Sequence, residues 1–113
     1  MTKEAQLLTK QQILSANDLP SEIVDVPEWG GKVKVRTLTG LERDALEQKI
    51  IAGAKNTRAL AVSFAVVDSE GNRLFTNEEA EALGKKSSKA LDRLFWIANK
   101  LNKLNDEETT IKN

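Results

Sequence analysis

The apolar residues of this chain change period along its length, and each change marks an element. Ile23-Val24-Asp25-Val26 and Lys32-Val33-Lys34-Val35-Arg36 alternate with period two, which predicts a β-hairpin over residues 22–38. Gly30-Gly31 supplies the turn. A two-residue Gly-Gly loop would pair Val26 with Val35 and Asp25 with Arg36. Pro27, which has no N–H to donate, favours a wider loop, Trp29-Gly30-Gly31-Lys32, with the same partners. Either way Val24, Val26, Val33 and Val35 share one face, and Asp25, Lys34 and Arg36 share the other. A lone hairpin is marginal in water, so this one must dock on helices or pair with another chain.

After the hairpin the period becomes helical. Thr39-Gly40-Leu41-Glu42 has capping-box spacing and predicts a helix from Gly40 to about Ala52, which Gly53 weakens or ends. Leu41, Ala45 and Ala52 lie on one side of it, and Leu46 and Ile50 well around. Two apolar faces imply burial on both sides or contact with a second subunit. Residues 57–67 are apolar nearly all round. A strand over Val62–Val67 is possible, but length and Ala content favour a central buried helix. Thr76 and Glu79 form another capping box, for a short helix Asn77–Leu83 stopped by Gly84. Ser87 or Ser88 then caps a long amphipathic helix to about Leu104. It presents Ala90, Leu91, Leu94, Phe95, Ala98, Leu101 and Leu104 to the core, with Asp92, Arg93, Asn99, Lys100 and Lys103 opposite. The fold class is α+β and mainly α: an N-terminal hairpin, then about four helices.

The flanks are polar. Residues 1–21 form a partly flexible lead-in, in which Thr9 and Gln12 have capping-box spacing for a turn of helix over Gln11–Ala16. Residues 22–105 form one globular domain, and 106–113 a flexible tail.

Composition narrows the function. The 113 residues carry 17 basic and 17 acidic side chains, so zero net charge gives no reason to expect nucleic acid or an anionic membrane as partner. The chain has no Cys, His or Tyr, which removes thiolate chemistry, the commonest general base and the commonest metal ligand. No catalytic, metal-binding or cofactor-binding residues stand out, and no enzyme is expected. No signal-peptide pattern or membrane span is apparent, so the chain reads as soluble and cytosolic.

Several local patterns imitate sites. Asp68, Glu70, Asn72 and Glu79 fall at calcium-loop spacings, but Arg73 stands where such a loop needs Gly. Gly84-Lys85-Lys86-Ser87 resembles the end of a phosphate loop without its upstream Gly. The acids Glu78, Glu79 and Glu81 suit a helix start. Lys32, Lys34 and Arg36 form a basic strip with no interleaved aromatics, as a solvated face or a protected edge would. Trp29 at the hairpin tip and Trp96 on the charged side of the last helix carry more weight, because Trp is enriched at binding hot spots. Trp29, Leu46, Ile50 and Trp96 are therefore the candidates for partner or subunit contact. The alternative for Trp96 is packing beneath the hairpin or the N-terminal segment.

The order and spacing of these pieces resemble a known family. Val26-Pro27-Glu28-Trp29-Gly30-Gly31-Lys32-Val33, then Arg36-Thr37-Leu38-Thr39-Gly40-Leu41-Glu42-Arg43, are similar to the tail assembly chaperones of long-tailed bacteriophages and prophages. So are Val67-Asp68-Ser69-Glu70-Gly71-Asn72-Arg73-Leu74-Phe75-Thr76, Glu79 to Ser87, and Ala90-Leu91-Asp92-Arg93-Leu94-Phe95, for a likeness over residues 22–105. The resemblance implies a short-form chaperone that binds the tape measure protein and keeps it soluble before the tail tube forms around it. A longer frameshift product would recruit the tail tube protein. It also implies a homo-oligomer in the host bacterial cytoplasm, absent from the mature virion. A structural tail or head-completion protein, or a small regulatory nucleic-acid binder, is the alternative.

Overall fold

Three capping boxes spaced along the chain set where helices begin, and in the computed structural model two of them close fully. The structure describes the backbone of residues 7–112 and the side chains of 7–102. Helix α1 (Lys10–Ser15) starts at Thr9, whose hydroxyl accepts from Gln12 N while the Gln12 side chain accepts from Thr9 N. Strands β1 (Ser21–Val26) and β2 (Gly31–Arg36) form the hairpin. Helix α2 (Gly40–Ile51) opens on the reciprocal Thr39–Glu42 box. Helix α3 (Thr57–Ala65) runs directly into a two-residue strand, β3 (Val66–Val67). Helix α4 (Ala80–Leu83) and helix α5 (Ser88–Lys112) complete the order.

The hairpin register corrects the prediction. Val24 faces Val33 and Val26 faces Gly31, four residues away from the expected pairing of Val26 with Val35. The loop is Pro27–Trp29, a turn of 3-10 helix, closed by Gly30 at φ 74°. Pro27 is the reason: it leaves the ladder to occupy the first turn position, where a missing N–H costs nothing. Because the slip is an even number of residues, the faces are unchanged. Val24, Val26 and Val35 are buried together as expected, with Val33 half-buried.

The sheet has order β1-β2-β3, all antiparallel, so β2 is central. The basic strip is therefore neither a sheet edge nor uniformly solvated. Lys32 is exposed and pairs with Asp25 at 3.6 Å, and Lys34 reaches the Ser69 carbonyl at 3.3 Å. Arg36 is buried.

The run 57–67 is both of the structures weighed for it: a buried helix whose last two apolar residues become a strand. One side of α3 supplies Ala59, Val62 and Ala65 to a core shared with the valine face of the hairpin and with Leu91, Leu94, Ala98 and Leu101 of α5. The other side supplies Leu60 and Phe64, packed with Ala80 and flanked by Ala45 and Leu46 of α2. Helix α2 is not buried on both sides: none of its residues is fully buried, and Leu41 and Ile51 are each 84% exposed.

Two further boundaries differ. Glu79 accepts from Thr76 N at 2.8 Å, but the reciprocal bond is absent and α4 begins only at Ala80. Gly84 is not a left-handed stop, since its φ is −63°. Its missing Cβ instead admits close packing: a methyl there would meet backbone oxygens at 3.3 and 3.4 Å and the Ala59 Cβ at 3.5 Å. Ser87 caps α5 by accepting from Ala90 N. The helix continues past Leu104 to Lys112 because Asn105–Lys112 contains neither Pro nor Gly to break it. The side chains of Lys103 and Leu104, and residues 1–6 of the lead-in, lie outside the described residues.

Candidate interaction surfaces

The hairpin tip, Phe75 and helix α4 frame one apolar depression. Pro27 and Gly30 hold Trp29 at the turn, half-buried against the core. Trp29, Phe75, Ala82 and Leu83 line a cavity of about 470 Å³, with Glu79 and Lys86 at its rim. A charge clamp fixes the tip. Arg93 on α5 donates to both oxygens of Glu28, at 2.6 and 3.0 Å. Those bonds, with the Glu28 backbone N–H, hold the Glu28 carboxyl down at about 2 and push the Arg93 guanidinium up.

A second depression runs between α2, α3 and α5, with a volume of about 390 Å³. Leu38, Leu46, Ile50, Ala61, Phe95 and Ala98 supply its apolar lining. Its rim charges are already matched: Arg43 pairs with Glu47 at 3.5 Å, and Arg58 pairs with Asp92 while its guanidinium lies 4.8 Å over the Phe95 ring. A matched rim around an apolar floor suits an apolar or mixed protein segment better than a charged polymer.

The α2 wall of this groove is held by a buried ion pair. Arg36 at the end of β2 donates to both oxygens of Glu42, at 3.1 and 3.2 Å, and to the Thr37 carbonyl at 2.8 Å. Burial works to raise the Glu42 carboxyl, but hydrogen bonds from Arg36 and Thr39 N overcome it and the net direction is down. Nearby, Arg73 stacks 4.1 Å over Phe64 and donates to the Ser63 carbonyl and to Asn77.

The four predicted contact residues do not converge. Leu46 and Ile50 lie in the groove, Trp29 lines the other depression, and Trp96 lies in neither lining. Trp96 is 60% exposed and meets Phe95 edge-on at 6.1 Å. Among the described residues it is not packed beneath the hairpin or beneath residues 7–21. The pattern missed Leu38 and Phe95 as groove residues. The helical pattern assigns Phe95 to the core, although Asp92 and Asn99, three residues before it and four after, hinted at a half-open position.

The calcium-like spacing serves the backbone instead. Asp68 accepts from Glu70 N and Asn72 N, at 2.8 and 2.9 Å, around Gly71 at φ 91°. Those bonds lower its carboxyl. Among the described residues no group of three His, Cys, Asp or Glu is placed to hold a metal, and no helix is long and apolar enough to cross a membrane.

Comparison with known proteins gives no match to any protein-family model or to any curated protein. Among solved structures, the bacteriophage HK97 tail assembly chaperone is similar: TM-score 0.63 and 21% identity, over 80% of this chain and 90% of that one. This chain therefore has the fold of a bacteriophage tail assembly chaperone.

Proposed function

We propose that this chain is a tail assembly chaperone of a long-tailed phage or prophage, in its short form. It binds the tape measure protein in the host cytoplasm and keeps it soluble. It assembles as a homo-oligomer, and a longer frameshift product recruits tail tube subunits. It is not an enzyme and leaves before the virion matures. The observation that carries this reading is the shared fold over 80% of the chain, which covers ground common to the likeness in residues 22–105. Fold alone does not specify function, so the surface matters. A shallow apolar groove with a charge-matched rim fits an amphipathic client helix laid into it. Single contacts of this kind are weak, but many copies along one long client add through effective concentration and still release when the tube displaces them.

The test is co-expression with the tape measure protein of the same genome, followed by size-exclusion chromatography with light scattering. A soluble complex holding several copies of this chain per client supports the proposal. Precipitation of the client, with this chain eluting alone even when the longer product is supplied, refutes it. Mass analysis of purified virions separates it from a structural tail or head protein, because a chaperone is absent from the particle.

A further inference from the structure

Strand β1 has an open edge. In an antiparallel pair, bonded and non-bonded residue pairs alternate. Thr37 N donates to Pro20 O at 3.1 Å, and the register carries that alternation on to Glu22–Val35, Val24–Val33 and Val26–Gly31. Glu22, Val24 and Val26 therefore turn their backbone groups toward β2. Ser21, Ile23 and Asp25 turn theirs outward, from the first strand of the sheet. Among the described residues no other backbone group bonds to these three. The lead-in turns away from them, since Asp18 and Leu19 lie beside Leu38 and Arg43 at the end of β2. Edge strands that stay single are usually blunted by a lysine, a proline or a bulge. Strand β1 has none of these between Ser21 and Val26, and its register is unbroken.

Two exposed apolar side chains accompany this edge. Ile23 is 59% exposed on the solvent face of β1. Trp96 is on α5, three residues after Arg93 and four before Lys100, so the three share one stripe of the helix. Arg93 reaches Glu28, just beyond the end of β1, and Lys100 reaches Glu22, near its start, at 3.5 Å. The stripe therefore runs along β1 in the opposite direction, with Trp96 between its two anchors. The same ion pairs leave the strand without unmatched charge, because Glu22 has Lys100 and Asp25 has Lys32.

We propose that β1 pairs antiparallel with β1 of a second copy, about a two-fold axis at Ile23, and joins two three-stranded sheets into one. A second copy is the occupant because the edge complements itself. With the axis at Ile23, Ser21 bonds to Asp25 of the other copy, Ile23 to Ile23 and Asp25 to Ser21, so every outward N–H and C=O finds a partner. The exposed isoleucines meet each other, and Asp25 faces Ser21 rather than its own like charge. Moving the axis to Glu22 would oppose two glutamates, and moving it to Val24 would leave Ser21 unpaired. A client helix cannot take this place, because its own backbone bonds are closed. The axis stands perpendicular to the sheet, so the two α5 helices come side by side on one face with Trp96 at the seam. The contact is isologous and closes as a dimer. It leaves the α2–α3–α5 groove open for the client. The inference deepens the self-association named above and rests on that part of the reading.

The chain has no cysteine, which makes cross-linking specific. Across a bonded antiparallel pair the Cα atoms stand about 5.5 Å apart, within disulfide reach. Full-length Ile23→Cys, oxidised and run on a non-reducing gel, should give a covalent dimer several-fold above the yield from Gln48→Cys, an exposed position on α2. Equal yields overturn the proposal. Separately, Ile23→Lys sets two like charges on the axis and should weaken self-association about tenfold or more in light scattering. Its circular dichroism spectrum should match the parent's, because Ile23 is outside the core. If the parent self-associates and Ile23→Lys does so equally, this edge is not the contact, while the self-association in the proposed function stands. If the parent runs as a single chain at every concentration, both fall. Client binding is read separately, in the co-expression experiment.

Discussion

Replacing Glu42 with Gln tests how the β2–α2 corner is held. Gln keeps an oxygen that can accept from Thr39 N, so the cap survives and only the charge is lost. Arg36 then stays buried without its counter-ion. Its side chain is 9% exposed, that of Glu42 16%, and Arg36 Nε already makes no hydrogen bond. Breaking a buried pair by removing one partner costs roughly 3–5 kcal/mol. Because Glu42 keeps some contact with water, the lower end applies, about 3 kcal/mol. That is a large share of the ~5–15 kcal/mol by which a domain is stable. For a chain near this size each kcal/mol lowers the melting temperature by ~4 °C, so E42Q should melt about 12 °C below the parent. Urea unfolding and calorimetry measure both numbers. R36M/E42Q, which removes both charges, should recover most of the loss, since well-packed apolar replacements of buried pairs are often neutral to within ~1 kcal/mol. A loss under ~1 kcal/mol for E42Q, or a double variant as unstable as the sum of the singles, would refute the reasoning.

Phe64 is 2% exposed and stacked beneath Arg73, so F64A should cost about 3–5 kcal/mol in urea unfolding. Glu28 has its carboxyl lowered from 4.5 to about 2 by Arg93, so its contribution is complete above the unfolded value and is lost as pH falls through the folded one. Unfolding curves of the parent and E28Q should therefore differ most above pH ~4.5 and converge as pH approaches ~2. Ile50 is 46% exposed in the groove, so I50E should abolish co-purification of the tape measure protein while shifting the melting temperature by no more than ~2 °C. Retained co-purification would remove the groove from the client-binding surface.

Much of the fold was readable because the signals were local. Capping boxes at Thr9 and Thr39 act within four residues, so spacing alone located α1 and α2. Period-two alternation assigned Val24, Val26 and Val35 to the core, and period 3.6 assigned Leu91, Leu94, Ala98 and Leu101. Each of these is a property of one segment that any partner surface would read in the same way.

What the tertiary structure decided depends on which segments meet. The strand register was set by Pro27 being expelled from the ladder into a turn, a choice between two pairings that bury the same valines. The end of α3 became a strand only because β2 offered a free edge to Val66 and Val67. Arg36 looked like a surface charge by alternation, and its burial follows from Glu42 arriving from the next helix to neutralise it. Gly84 was legible as a break, but its reason, the approach of α4 to Ala59, exists only in three dimensions. The interaction surfaces divide in the same way. Trp29, Leu46, Ile50 and Trp96 could be selected as apolar residues out of place, but their division between two depressions and open solvent is set by how the helices cross. An apolar side chain is core or contact according to what covers it, and coverage is not a property of the residue that carries the side chain.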